Sequence, residues 1–278
     1  MKSKKILIFF LVVGLLLAFF ATQVYVYINK PSTGLKVYFF DVGQGDACLI
    51  QTANGENILI DGGPDNKVLS ELSKVLPWWE RELDLMILTH PHDDHVAGLN
   101  NILDKYSVNK ILYTGVSHNG PAYLSWLDKI KEQEQKVKII ERTQEIKLDN
   151  DCNFKILFPT ESFLNKTVVN FNNTSIVAQL DCEGKKILFM GDAEQELENE
   201  LLKNYSDLDS DIIKIGHHGS ETASGEEFLK AVSPETAIVS VGEDNKFGLP
   251  DLRILRRLER LGINVLRTDE GGTIVENF

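Results

Sequence analysis

At 278 residues the chain is long enough for one large α/β domain, or two small ones, with a true core. Its 43% hydrophobic and 25% charged residues are ordinary for a folded protein and exclude a disordered one. A formal charge of −12 excludes a globally basic, polyanion-binding surface, although bound divalent cations would add positive charge locally.

A short basic flank, residues 1–5, precedes an uncharged run from Ile6 to Ile28. About 20 apolar residues cross the hydrocarbon core as a helix, whereas a signal-peptide core is about 7 to 15 residues long. Ala18-Phe-Phe-Ala21 is a poor cleavage site, so the sequence favours an uncleaved transmembrane anchor. A cleaved signal with a secreted product is the first alternative, and a buried helix of a soluble domain the second. The flanking lysines predict a cytoplasmic N-terminus and an extracytoplasmic domain beyond Lys30. Residues 29–34 read as a polar linker, and residues 35–278 as the folded domain.

Leu35 to Phe40 reads as a strand and Asp41 to Asp46 as a tight turn at its end. Ala47–Gln51 and Asn57–Ile60 form a hairpin around Asn54-Gly55, closed by Asp61-Gly62-Gly63. Asn66 to Leu76 has helical spacing and stops at Pro77. Leu85 to Leu88 reads as a buried strand, and Thr89-His90-Pro91-His92-Asp93-Asp94-His95 follows at once. In extended chain, residues two apart face one way, so His90 and His92 converge on one point while Asp94 and His95 face a second. Imidazole and carboxylate suit zinc, manganese or iron, and two such points close together describe a two-metal hydrolytic centre. A helix is predicted from Val96 onward, with its positive end toward the site.

Farther along, Ile111–Thr114 reads as a strand and Pro121–Gln135 as a helix; His118, alone in the loop between them, is left out of the site. Short apolar runs from Val137 to Phe158, broken by turns such as Asp149-Asn150-Asp151, suggest a second set of strands. Ser175–Leu180 and Lys186–Met190 form a hairpin ending at Gly191-Asp192, followed by a helix over 193–204. A strand over 211–215 delivers Gly216-His217-His218-Gly219-Ser220, and strand 236–241, helix 251–261 and strand 264–267 complete a second half like the first. Five of the six histidines thus lie in two motifs. Cys48, Cys152 and Cys182, odd in number and without a C-x-x-C pair, argue against a zinc–cysteine module and a disulfide framework.

His90-x-His92-x-Asp94-His95 resembles the signature of metallo-β-lactamase-fold hydrolases. Together with Asp41-Val-Gly-Gln-Gly-Asp46, Ile58-Leu-Ile-Asp61-Gly-Gly63, Phe189-Met-Gly-Asp192 and His217-His218-Gly219-Ser220, it resembles the hydrolase domain of ComEC-type competence proteins. The resemblance spans about residues 35–278. It implies an α/β fold, a four-layer αβ/βα sandwich, here preceded by one transmembrane helix. It also implies two divalent metal ions, zinc or manganese, on His90, His92, Asp94, His95, Asp192 and His218, with Asp192 bridging. His217 would face substrate, although the reverse assignment of the two histidines stays open. Asp94 would also accept the proton of the attacking hydroxide's parent water, with Ser220 assisting His217. Asp61, Asp46, Gln44, Asn173 and Ser175 are candidates for supporting the ligands or touching substrate.

Two departures from the family bear on chemistry. The further ligand histidine that lactamases carry between the metal loop and Gly-Asp is absent, with Asn172-Asn173-Thr174-Ser175 in its place, which argues against β-lactamase activity. Gly248-Leu249-Pro250 stands where relatives show a histidine before the proline. The expectation is a hydrolase of phosphodiester or phosphoester bonds, with single-stranded DNA as one substrate. A cell-wall phosphoester (phosphorylcholine or teichoic acid) and a non-catalytic, surface-tethered metal-binding module are the alternatives. With one candidate span, the chain alone is not expected to conduct DNA, and no obligate protein partner is implied.

Overall fold

The computed structural model describes residues 2–28, 34–148 and 152–278, divided into two compact units, Met1–Gly34 and Leu35–Phe278. The expected linker at 29–34 lies, apart from Gly34, outside the described residues, as does the turn Asp149-Asn150-Asp151. The first unit is a single helix, α1 (Lys2–Ile28). Its stretch Ile8–Tyr25 is long and apolar enough to cross a membrane, and side chains such as Phe9, Phe10 and Leu15 are exposed along it.

The second unit runs β1 (Lys36–Phe39), β2 (Cys48–Gln51), β3 (Asn57–Ile60), α2 (Lys67–Val75), β4 (Glu82–Leu83), β5 (Leu85–Ile87), α3 (Asp93–Leu103), β6 (Ser107–Val108) and β7 (Ile111–Tyr113). It continues through α4 (Pro121–Glu132), β8 (Val137–Ile139), β9 (Gln144–Lys147), β10 (Cys152–Phe158), β11 (Val177–Cys182), β12 (Lys185–Phe189), α5 (Gln195–Asn204) and β13 (Ile212–Lys214). Then come α6 (Glu226–Val232), β14 (Thr236–Val239), α7 (Leu252–Arg260), β15 (Asn264–Arg267), the single turn α8 (Thr268–Gly271) and β16 (Ile274–Asn277).

Among the described residues these strands form two seven-stranded sheets, β16-β1-β2-β3-β5-β7-β8 and β15-β14-β13-β12-β11-β10-β9, with β4 and β6 paired beside them. Side chains alternate across each strand. Phe39, Ile50, Ile60 and Ile87 of the first sheet therefore meet Phe154, Leu180, Ile187 and Phe189 of the second in a shared core, where the Phe39 and Phe189 rings stack 5.9 Å apart. The opposite faces are covered by helices. Leu49, Leu59 and Met86 pack with Leu72 of α2, Leu99 of α3 and Trp126 of α4. Leu188, Ile213 and Val239 pack with Leu201 of α5, Phe228 of α6 and Leu258 of α7. Helix, sheet, sheet, helix is the four-layer order the resemblance implies.

Four findings differ from the sequence reading. The helix after the metal loop starts at Asp93 and not at Val96, because His92 in extended conformation caps it and Asp93 and Asp94 suit the positive end of its first turn. β8 pairs with β7 in the first sheet, so only β9 and β10 of the 137–158 region begin the second. Neither α6 nor β16 was expected; β16 pairs antiparallel with β1, joining the two ends of the Leu35–Phe278 unit. A disulfide does form, Cys152–Cys182, because the two cysteines are directly opposed on β10 and β11. Cys48 remains free and buried.

Candidate metal centre

The carboxyl ends of β5, β12 and β13 meet at one end of the two sheets, where open α/β sheets place ligands. β5 leads into Thr89-His90, whose strand-like direction is fixed by Asp61: the carboxylate accepts from the Thr89 amide (2.8 Å) and the Thr89 hydroxyl (2.7 Å). Asp61 itself sits at φ 57°, and its amide donates to the Ile87 carbonyl. Helix α3 starts immediately, so Asp94 and His95 project from its first turn. The helix lies so close to the turn at Gly62 that a Cβ on Gly98 would come within 1.8 Å of the Gly62 carbonyl oxygen. β12 delivers Asp192, whose amide donates to the Ser175 hydroxyl at 3.1 Å. Beyond β13, a single turn over 216–219 holds His217 and His218 at φ 48° and 52°, which sends their rings in different directions.

These elements bring the ligand atoms of Asp94, His95, Asp192 and His218 within 4.8 Å of one another, and likewise those of His90, His92 and Asp192. Asp192 serves both groups. Its Oδ1 lies 3.3 Å from His95 Nε2 and 3.5 Å from His218 Nε2, while its Oδ2 lies 3.6 Å from His90 Nε2. Asp94 Oδ2 approaches His218 Nε2 at 3.3 Å. None of these approaches is aligned as a hydrogen bond: His95 Nε2, His218 Nε2 and Asp192 Oδ1 are buried without a hydrogen-bond partner among the described residues. Burying such atoms unsatisfied is costly. The opposite ring nitrogens are both engaged, His95 Nδ1 with Asp61 Oδ2 at 2.8 Å and His218 Nδ1 with the Ser240 carbonyl at 2.9 Å. That arrangement turns each Nε2 lone pair toward the shared point, and the nitrogen and oxygen donors fit divalent zinc, manganese or iron.

Burial raises the affinity of Asp192 for a proton, but His218 and His95 outweigh it and hold the carboxyl well below its usual range. Burial likewise opposes charge on His218, yet Asp192 and Asp46 push it up to about 10. His95 is raised in the same way by Asp192 and Asp61. His90 moves the other way, well below its usual value, through burial and the neighbouring His95. A bound cation would compete with protons for these same imidazole nitrogens.

The two histidines of the second motif occupy different places. His218 lies in the cluster, 1% exposed, whereas His217 lies at the rim with its side chain 27% exposed and Nδ1 3.1 Å from Glu194 Oε1. Glu194 also accepts from Asn172 Nδ2 at 3.0 Å, Asn170 Nδ2 at 2.6 Å and Thr222 Oγ1 at 2.9 Å. Asn173 turns away, to Glu196 and the Glu194 amide, so Asn172 is the residue beside His217. Ser220 bonds to Thr222, which in turn bonds to His217 and Glu194. Gln44 accepts from the Gly242 amide and joins two loops without reaching the cluster. Asp46 is buried beside His218, with Oδ1 3.3 Å from Nδ1. His118 stands near His92, ring centroids 6.0 Å apart, and packs on Phe171 at 4.6 Å. Thr89, Glu194, Lys214, Thr222 and Ser240 were not anticipated; only the motifs around them marked their neighbourhood.

The profile of the Metallo-beta-lactamase superfamily matches residues 40–243. ComE operon protein 3 of Bacillus subtilis is 29% identical over 86% of this chain, and competence protein ComA of Neisseria gonorrhoeae 31% identical over 88%. The chain covers 32% of each, about a third of these relatives' length. Among solved structures, a diphosphatase of the PhnP family superposes with a TM-score of 0.53 at 13% identity, over 87% of this chain and 98% of that one. Fold, ligand cluster and sequence therefore agree that the chain belongs to the metallo-beta-lactamase superfamily, with ComEC-type competence proteins as its homologues.

Proposed function

We propose that the Leu35–Phe278 unit is a metal-dependent hydrolase of phosphodiester bonds, tethered by α1 to the outer face of a membrane. The observation that carries this reading is the convergence of three buried, unpartnered donor atoms, His95 Nε2, His218 Nε2 and Asp192 Oδ1, on one point beside a second group of donors. His90, His92 and Asp192 would hold one cation, and Asp94, His95, Asp192 and His218 the other. Bound cations of this kind supply Lewis acidity and make water a competent nucleophile near neutral pH.

The chain's own residues do the rest. Asp94, the one carboxylate of the cluster with substantial exposure at 32% of its side chain, accepts the proton of the attacking water. His217, its Nδ1 held by Glu194 Oε1 and Thr222 Oγ1, presents its other edge to the leaving oxygen, and the Asn172 amide stands beside it. A phosphoester as the bond broken is supported by the likeness to a diphosphatase, and nucleic acid as its source by the competence relatives. The apolar, exposed stretch of α1 supports the tether, and the Cys152–Cys182 disulfide supports an oxidising compartment.

The protein with zinc or manganese is assayed on bis-p-nitrophenyl phosphate and single-stranded oligonucleotide, beside Asp192→Asn. Turnover by the wild type is expected, with a loss of at least about 100-fold in the variant, more than losing an outer partner of a ligand costs. Equal turnover in both would remove the metal-centre reading. Cleavage that weakens steeply with salt points to the oligonucleotide, and salt-independent cleavage to a small phosphodiester.

A further inference from the structure

Beneath the ligands, where the core between the sheets begins, Phe39, Cys48, Ile60 and Phe189 line a cavity of about 20 Å³ together with Asp46 and Lys214. Lys214, the last residue of β13, is 4% exposed. Lysine is seldom so buried unless paired. Its Nζ donates to Asp46 Oδ2 at 2.6 Å and to the Ile215 carbonyl at 3.0 Å. The other Asp46 oxygen, Oδ1, is buried without a hydrogen-bond partner among the described residues, yet lies 3.3 Å from His218 Nδ1. That nitrogen instead donates to the Ser240 carbonyl, at 2.9 Å.

Two acceptors therefore compete for one imidazole N–H. Ser240 holds His218 with its Nε2 toward Asp94 Oδ2 and Asp192 Oδ1, at 3.3 and 3.5 Å. Asp46, a full negative charge, is intrinsically the stronger acceptor. It does not win the proton because the Lys214 ammonium holds the carboxylate from the other side and compensates its charge. Packing does not ask for this pair: an apolar residue of similar length at 214 with a neutral one at 46 would fill the same space.

We propose that Lys214 is a positioning residue for the metal centre, acting through Asp46. The buried ammonium restrains the carboxylate so that His218 keeps its bond to Ser240, and this sets the direction of His218 Nε2 toward the cation. The role rests on the metal-centre reading of the site. Without the ammonium, Asp46 captures the Nδ1 hydrogen, the ring turns, and one of the two metal positions loses a well-aimed ligand.

The test measures ion binding to the full metal-free chain in detergent micelles, by calorimetric titration with Zn²⁺ and with Mn²⁺, for wild type, Lys214→Met and the double variant Lys214→Met/Asp46→Asn. Wild type is expected to take up two ions. Lys214→Met should weaken one of them by about 10- to 100-fold, the range for loss of an outer partner, and leave the other within about 3-fold. Adding Asp46→Asn removes the competing charge and should tighten that ion again by at least about 5-fold relative to Lys214→Met. A merely structural lysine would weaken both ions or neither. If Lys214→Met does not fold, Lys214→Gln, whose amide still donates to Asp46 without charge, is titrated with and without Asp46→Asn, and the same comparison decides. Wild-type uptake of both ions with an unaffected lysine variant, or no recovery in the double variant, overturns the role of Lys214 alone. A wild type that binds no ion overturns the metal-centre reading itself.

Discussion

The Asp61 carboxylate has both oxygens engaged before any ion arrives, by the Thr89 amide, the Thr89 hydroxyl and His95 Nδ1. One side chain thereby sets both the exit of β5 and the tautomer of a ligand on α3. In Asp61→Asn an NH₂ replaces one of these acceptors: at Oδ1 the Thr89 amide loses its partner, and at Oδ2 the Thr89 hydroxyl and His95 Nδ1 both lose theirs. Affinity for the ion at His95 is expected to fall by about 10- to 100-fold, read by metal titration, with the His90 and His92 position changed less. Glu198 is a second residue with a definite expectation. It is 2% exposed, its oxygens accept from the Ser224 and Gly225 amides, and burial raises its carboxyl to about 7 despite those bonds. Below about pH 4.5 folded and unfolded chains both carry this proton. As pH rises toward 7 the unfolded glutamate ionises freely and the buried one does not, so the stability it contributes is lost across that window and stays lost above it. The melting temperature of wild type relative to Glu198→Gln should therefore fall between pH 4.5 and about 7.5, and a constant difference would mean the burial is not felt.

At the scale of elements, α3 is the part whose placement matters most. Its fit against the Gly62 turn puts Asp94 and His95 in the cluster, and Gly98 is the contact that permits it. Ala is the better helix former by about 1 kcal/mol. Yet Gly98→Ala is expected to destabilise, because overpacking costs about 1–3 kcal/mol and must also displace the Gly62 backbone. A melting temperature lower by about 5 °C, with weaker metal uptake, is the expected result in thermal scans. The elements also show what the sequence carried. Strands β1, β2, β3 and β12 were legible from alternation and from turns at Asn54-Gly55 and Glu183-Gly184, because local pattern decides them. The convergence of the motif histidines was legible because strand ends and motif spacing place them. The start of α3 was misplaced by three residues although Asp93 and Asp94 are first-turn residues, since the reading of Asp94 as a metal ligand masked the helix signal of the pair. β16 and the pairing of Cys152 with Cys182 depend on register between distant strands, which no local pattern encodes. Nothing local singles out Lys214 or Glu194; the fold carries one into the core and sets the other beside His217.

For the whole molecule, the two halves are held by a continuous core between the sheets, and the disulfide lies inside it, joining β10 to β11 in the same cluster as Phe39 and Phe189. Closing a loop with a sequence separation of 30 is worth roughly 3–4 kcal/mol through the unfolded chain. Reduction, or Cys152→Ala with Cys182→Ala, is expected to lower the denaturation midpoint by that amount, measured by guanidinium titration, with the metal cluster intact below it. An unchanged midpoint would show that the bond contributes nothing in solution.

The return of β16 to β1 reaches beyond stability. Phe278 donates its amide to the Leu35 carbonyl at 2.9 Å, so the first and last residues of the folded unit are side by side near one edge of the first sheet. A cassette whose entrance and exit coincide can be spliced into a longer polypeptide, or hung from a lone helix, without disturbing the catalytic end. Joining Leu35 to Phe278 and opening the ring at the Asn54-Gly55 tip would yield a permuted enzyme with the same chemistry.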